Sequence, residues 1–234
     1  MLMTNEDYVY IVKNYTEVRY SNRGFLFKKK APIDPRTLPG VTDYFEVGHV
    51  QGYFAERNDK KILFLMGSNE IMDWFYNFMF RFKRTPYKEA GVNRKIKVHS
   101  GFYKSYLKIR DLVHEKLRND DRIIIYGQSF GAALATLASL DMRYNFPEKE
   151  VACMTTGSPR IGNKYFADSF DGRVPETTRF VYGKDLVATL PPEWFFYKHV
   201  HGFIHLGPED RKLPSVADHL MGGYIPAIVA KYGS

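Results

Sequence analysis

Apolar and polar positions along the chain divide it into segments of two distinct periods. Asn5 to about Tyr20 mixes the two classes in a way that suits a helix, and Lys28 to Gly40, with Pro32, Pro35 and Pro39, reads as an irregular connection. Val50–Glu56 and Lys60–Met66 have strand character and predict a hairpin turning at Arg57-Asn58-Asp59. The second of these strands is almost wholly apolar (Ile62, Leu63, Phe64, Leu65), as expected of a strand buried on both faces. Ile71, Trp74, Phe75, Phe78, Met79 and Phe82 recur at helical spacing, with Met72 and Phe80 widening the stripe. A further helix is predicted after Gly101, where Phe102, Tyr106, Ile109, Val113 and Leu117 share a face before Asp120-Asp121 ends it.

From there the chain alternates. A strand is expected at Arg122–Tyr126, a helix from Ser129, a strand at Val151–Thr156, a short helix near Tyr165, a strand at Thr178–Tyr182 and a last helix near Val216–Ala230. Strands alternating with helices of this length predict an α/β protein with a mostly parallel central sheet covered on both faces. No repeat, low-complexity stretch or Gly/Ser linker interrupts residues 1–234, so one domain is expected.

Composition changes this picture little. The 234 residues are 44% hydrophobic and 26% charged, the balance of an ordinary globular protein. Cys153 is the only cysteine, so no intrachain disulfide can form. The start, MLMTNEDYVYIVKNY, lacks the basic and apolar regions of a secretory signal, and no apolar run is long enough to span a bilayer. These features lead to the expectation of a cytoplasmic protein, with export by a non-standard route as the alternative. The net charge of +8 gathers at Lys28–Lys30, Arg81–Arg84 and Arg94–Lys97. Such runs are ordinarily solvated surface; they would also be drawn to anionic lipid headgroups. No nucleic-acid-binding module accompanies them, so nucleic acid is not an expected partner.

The candidate chemistry centres on Gly127-Gln128-Ser129-Phe130-Gly131, which follows the apolar strand and precedes Ala132-Ala133-Leu134-Ala135. A strand–turn–helix around G-x-S-x-G forces the serine into strained geometry with its hydroxyl exposed, and the helix start offers the Phe130 N–H to a developing oxyanion. Such a serine needs a base and an acid to orient it. Asp185 follows the Thr178–Tyr182 strand and fits the acid, although an ordinary turn aspartate would look the same; Asp168 and Asp171 come too early. Of the later histidines, His199, His201 and His205 lie in a strand-like stretch. His199 and His201 would share a face there, but no cysteine or carboxylate pattern completes a metal site. His219 is the better base, at the head of the final helix where Ser215-Val-Ala-Asp218 resembles a capping box.

The blocks Phe64-Leu65-Met66-Gly67-Ser68, Val98-His99-Ser100-Gly101-Phe102, Gly127–Ala133, Thr156–Asn163, Asp185–Pro192, Gly202–Glu209 and His219-Leu220 together resemble, in order, the fungal-type triacylglycerol lipases (lipase class 3), over about residues 61–224. The resemblance implies the α/β-hydrolase fold and a serine ester hydrolase with Ser129, Asp185 and His219 as catalytic triad. It also implies an oxyanion hole from Ser68 and Phe130 and no metal or organic cofactor. Residues 69–84, with Ile71, Trp74, Phe75 and Phe78, lie where the family keeps its lid; a core helix would show the same periodicity. A lid implies long-chain acylglycerols as substrates, a core helix short esters. Met66 stands in place of the usual arginine, and Gln128 and Phe130 in place of histidine and leucine. His99 reads as a packed structural histidine or as support for the oxyanion loop. Phospholipase A-type and thioesterase activities would use the same triad, and a non-catalytic lipid-binding module is the alternative of a different class.

Overall fold

The computed structural model describes residues 1–22, 35–67, 81–85, 96–208 and 213–233, with only the backbone for 16–22 and 35. Helix α1 (Asn5–Asn22) starts at a reciprocal cap. Thr4 Oγ1 accepts the Asp7 N–H at 3.3 Å, and the Asp7 carboxylate accepts the Thr4 N–H at 2.9 Å. The same carboxylate is buried against Lys60 at 2.5 Å. Burial alone would raise its pKa, but the bonds from Lys60 and Thr4 hold it below the usual carboxylate value.

Three antiparallel strands follow: β1 (Val41–Val47), β2 (Val50–Arg57) and β3 (Lys60–Leu65). The predicted hairpin turns at Asn58-Asp59, both with positive φ (48° and 58°), as a tight two-residue turn requires. β3 then pairs in parallel with β6 (Arg122–Gln128), which is followed by β7 (Glu150–Thr156), β9 (Thr177–Tyr182) and β11 (Phe203–Leu206), giving the order β1-β2-β3-β6-β7-β9-β11. Period-two alternation divides the core between two faces. Leu63, Leu65, Ile123 and Ile125 face a cluster with α2 (Ser100–Leu117), α3 (Phe130–Asn145) and α4 (Lys164–Arg173). Ile62, Phe64, Ile124 and Tyr126 face a second cluster with α1 and α5 (Met221–Tyr232). This is the expected mostly parallel sheet with helices on both faces.

The structure departs from the sequence reading in four places. β1 and a small antiparallel sheet, in the order β10-β8-β5-β4, were not predicted. The small sheet is built from β4 (Phe82–Arg84), β5 (Lys97–His99), β8 (Gly162–Asn163) and β10 (Tyr197–Lys198), strands too short to show a period. Phe82, read as the end of a helical stripe, opens β4 and stacks on Tyr197 with ring centroids 4.3 Å apart. The stretch from Tyr197 to His205 is two strands in different sheets. The final helix begins at Met221, after a 3-10 turn at Ala217–His219. Among the described residues no helix is long and apolar enough to cross a membrane.

Candidate functional site

β6 runs directly into Ser129, whose backbone (φ 62°, ψ −123°) is strained for a residue with a side chain, and α3 begins at Phe130. Two glycines make this turn sterically feasible. A Cβ on Gly127 would stand 2.1 Å from the Gly131 carbonyl oxygen, and one on Gly131 would stand 2.0 Å from that of Leu65. Both clashes are with backbone, which cannot give way, so the start of α3 presses on β6 and β3 only with glycine at both positions. The turn is held by the Ser129 N–H on Thr156 O at 3.0 Å. The N–H groups of the first turn of α3 point toward the site and favour negative charge there.

The acid and the histidine arrive on two strapped connections from the carboxyl ends of β9 and β11. Asp185 bridges to Ser215, the Leu186 N–H bonds Ser215 O at 3.1 Å, and the Ser215 N–H bonds Lys184 O at 2.8 Å. Asp218 accepts the Lys184 N–H at 2.9 Å. Its carboxylate therefore ties the two connections together instead of completing the expected capping box, although the Asp218 N–H does reach Ser215 Oγ at 3.3 Å.

Ser129, His219 and Asp185 come together, all buried. Ser129 Oγ lies 2.6 Å from His219 Nε2, and His219 Nδ1 lies 2.9 and 2.8 Å from the two Asp185 oxygens. A carboxylate facing Nδ1 fixes the proton there, which leaves the Nε2 lone pair for the serine hydroxyl. Asp185 also accepts the Val187 N–H on Oδ1 at 2.8 Å and the Tyr224 hydroxyl on Oδ2 at 2.5 Å. Burial, then the neighbouring Asp185 charge, pushes the Tyr224 pKa well above its usual value, so this hydroxyl remains a neutral donor. Gly157, at φ 60°, lies against the pair: a Cβ there would be 2.7 Å from Asp185 Oδ2 and 2.8 Å from His219 Nδ1.

A chain of hydrogen bonds through Gln128 and Tyr15 joins the serine turn to α1. Gln128 Nε2 donates to the His219 carbonyl at 3.3 Å, and the Tyr15 hydroxyl donates to Gln128 Oε1 at 3.5 Å. That hydroxyl in turn accepts the Gly67 N–H at 3.0 Å. The arrangement can take a proton from Ser129 and hold an imidazolium, which is the chemistry of nucleophilic acyl transfer.

Phe130 is the first residue of α3 with its side chain buried. Ser68, Ile71, Trp74, Phe75 and Phe78 lie outside the described residues, as does the 69–84 segment up to residue 80. Arg81, Lys83 and Arg84 are exposed. His99 caps α2, its Nδ1 accepting the Phe102 N–H at 3.4 Å. His199 and His201 do not share a face. Their Nε2 atoms meet the carbonyls of Ala188 (2.8 Å) and Val174 (2.9 Å), and that of His205 meets Gly183 O (2.9 Å). Among the described residues no cluster of three or more His, Cys, Asp or Glu could hold a metal ion. Burial pushes the Cys153 thiol up to about 12, so it is not a competing nucleophile. The sequence reading missed Tyr224 and Tyr15. Tyr224 carried one usable signal, its place in the first turns of the helix that follows His219.

Comparison with known proteins agrees with this geometry. The family model described as lipase (class 3) matches residues 62–195. A secreted mono- and diacylglycerol lipase of Malassezia globosa is 31% identical over 48% of this chain and 39% of its own length. A lipase of Rhizopus niveus is 30% identical over 68% of this chain and 40% of its own length. A secreted mono- and diacylglycerol lipase of Fusarium solani is 30% identical over 64% and 45% respectively. The chain thus spans about two-fifths of the length of these curated relatives. Among solved structures, a Rhizomucor miehei lipase–propeptide complex superposes with a TM-score of 0.70 at 19% identity, covering 92% of this chain and 78% of that one. A lipase from Rhizopus microsporus var. chinensis gives 0.67 at 22%, covering 91% and 85%. This likeness shows the α/β-hydrolase fold. The expectation of a cytoplasmic protein is overturned, because the Malassezia and Fusarium relatives are named as secreted enzymes. A single cysteine limits disulfide pairing and does not decide the compartment.

Proposed function

The chain belongs to the class 3 lipase family, and from that premise we propose that it is a single-domain serine hydrolase of lipid carboxylic esters, acylglycerols foremost. The observation that carries the reading is the unbroken line from Ser129 Oγ through His219 to Asp185, with contacts of 2.6 and 2.8 Å. Ser129 Oγ attacks the ester carbonyl carbon as its proton passes to His219 Nε2, and Asp185 stabilises the imidazolium. The oxyanion is bound by the N–H groups of Phe130 and Ser68; loss of one such donor typically costs about 3–4 kcal/mol of transition-state stabilisation. Collapse expels the alcohol, which takes the proton from His219. Water then attacks the acyl-enzyme by the same route and releases the acid. This chemistry calls for no cofactor. The exposed Arg81, Lys83 and Arg84 of the β4 segment support contact with anionic headgroups.

The test is hydrolysis of p-nitrophenyl esters from acetate to palmitate by the wild-type chain and Ser129→Ala. The expected result is a loss of more than about 10⁴-fold in kcat for the variant, with the acyl-length profile choosing between long and short esters. Equal rates for the two proteins would overturn the assignment. Parallel assays on a phospholipid and an acyl-CoA separate the phospholipase and thioesterase readings.

A further inference from the structure

Between the acid loop and β10 the chain makes a 3-10 turn, Glu193–Phe195, that carries three consecutive aromatic residues into solvent. Trp194 is 77% exposed, Phe195 42% and Phe196 81%. Large aromatic rings of this kind are ordinarily buried, and consecutive exposed ones mark a surface that meets an apolar partner. The turn is held firmly from below. The Arg160 guanidinium donates to the carbonyls of Thr189 and Pro191 and to the Glu193 carboxylate. The Phe195 and Phe196 N–H groups close on Pro192 O and Glu193 O at 3.1 and 2.8 Å. Phe196 has φ 64°, a left-handed conformation rare for an aromatic residue, and the next side chain, Tyr197, is buried. A strained residue held by this many contacts keeps its ring directed outward.

The surroundings specify the partner. Tyr197 stacks on Phe82 at 4.3 Å although the two come from opposite edges of the small sheet, so the aromatic turn adjoins β4. Arg81, Lys83 and Arg84 are exposed there, and Lys198 is exposed directly after the turn. Glu193 is engaged by Arg160 at 3.3 Å and Lys198 at 4.0 Å, and no acidic residue occurs in 96–110 or 194–208. The turn also leaves the carboxyl end of β9 on the same connection as Asp185, at the rim of the sheet where Ser129 sits.

We propose that Trp194, Phe195 and Phe196 form an anchor that inserts into an anionic lipid–water interface while Arg81, Lys83, Arg84 and Lys198 meet its headgroups. The proposal rests on the reading that the substrate is a lipid ester. It adds a fixed attachment point, separate from the catalytic residues, that seats the rim of the sheet on the surface where the substrate lies. Interfacial aromatic rings with flanking basic residues bind such surfaces through apolar burial and electrostatic attraction together.

The test uses the Ser129→Ala chain, which leaves lipid intact, with vesicles of phosphatidylglycerol or phosphatidylcholine. The chain has two tryptophans, so Trp74→Phe in that background makes Trp194 the only one. The expected results are a blue shift of Trp194 emission on phosphatidylglycerol vesicles, reversed by salt, and a roughly tenfold or greater loss of vesicle affinity in Trp194→Ala/Phe196→Ala. The same double substitution in the chain with Ser129 should hydrolyse soluble p-nitrophenyl acetate within about twofold of the parent rate. An inert chain with normal vesicle binding would sink the hydrolase reading and leave the anchor standing. Vesicle affinity untouched by the double substitution, or equal for neutral vesicles at all salt concentrations, would overturn the anchor. So would loss of self-association in the variant without loss of vesicle binding, which would assign the turn to a second copy of the chain.

Discussion

Tyr224 donates its hydroxyl to Oδ2 of Asp185 at 2.5 Å, the same oxygen that lies 2.8 Å from His219 Nδ1. The Asp185 carboxylate is thereby held from three sides: the histidine, the Val187 N–H and a phenol that burial keeps protonated. Hydrogen bonds to a buried charged group contribute about 1.5–3 kcal/mol. Tyr224→Phe keeps the ring and removes this donor. The expected outcome is a ten- to hundredfold fall in kcat on a soluble ester with KM little changed, together with a lower unfolding temperature. Unchanged kcat would show that Val187 and His219 suffice to hold the carboxylate.

Tyr15 acts from further away. Its hydroxyl accepts the Gly67 N–H and donates to Gln128, which donates to the His219 carbonyl. Gly67 precedes Ser68, the proposed oxyanion donor, so Tyr15→Phe frees the backbone that aims that donor. A drop in kcat of about tenfold is expected, equal for acetate and longer acyl chains, because the defect lies at the carbonyl and not in the acyl pocket. A drop that grows with chain length would place Tyr15 in substrate binding instead.

The parts of the site that could be read from sequence are those whose causes are local. The apolar run Ile123–Tyr126, the glycines around Ser129 and the alanines after it each dictate geometry within a few residues, and the structure returns that strand, turn and helix. Asp185 and His219 followed from strand order and the family blocks. Tyr15 could not be seen, because it is 113 residues from Gln128 and its role exists only once α1 packs under the sheet. The start of the last helix was misplaced for a related reason. Ser215-x-x-Asp218 has the form of a cap, but Asp218 turns to the Lys184 N–H, a partner 34 residues away. β1 escaped notice because it is an edge strand whose register shifts between Val41 and Asp43, which breaks the alternation and sets Val41 and Tyr44 three residues apart on one face. The paired histidines 199 and 201 looked like one strand face, and only the break between the two sheets separates them.

His199 leads to a prediction about acid. Its Nε2 donates to Ala188 O at 2.8 Å, while Nδ1 is enclosed with no hydrogen-bond partner among the described residues. Protonating Nδ1 would place an unmet N–H and a charge beside Arg179, with Arg160 and Lys198 also near; burial first and these cations second lower its pKa to about 3. The unfolded chain takes up this proton near pH 6.5, whereas the folded chain resists it until about pH 3. Stability from this group is therefore complete above pH 6.5 and declines as the pH falls below it, by up to about 1.4 kcal/mol per pH unit. His199→Gln supplies a donor for Ala188 O with nothing to titrate. Urea unfolding between pH 7.5 and 4 should show the wild type losing stability more steeply than the variant from pH 6.5 downward. Parallel stability curves for the two proteins would mean that His199 titrates alike in the folded and unfolded chain, and that the acid sensitivity of this loop has another source.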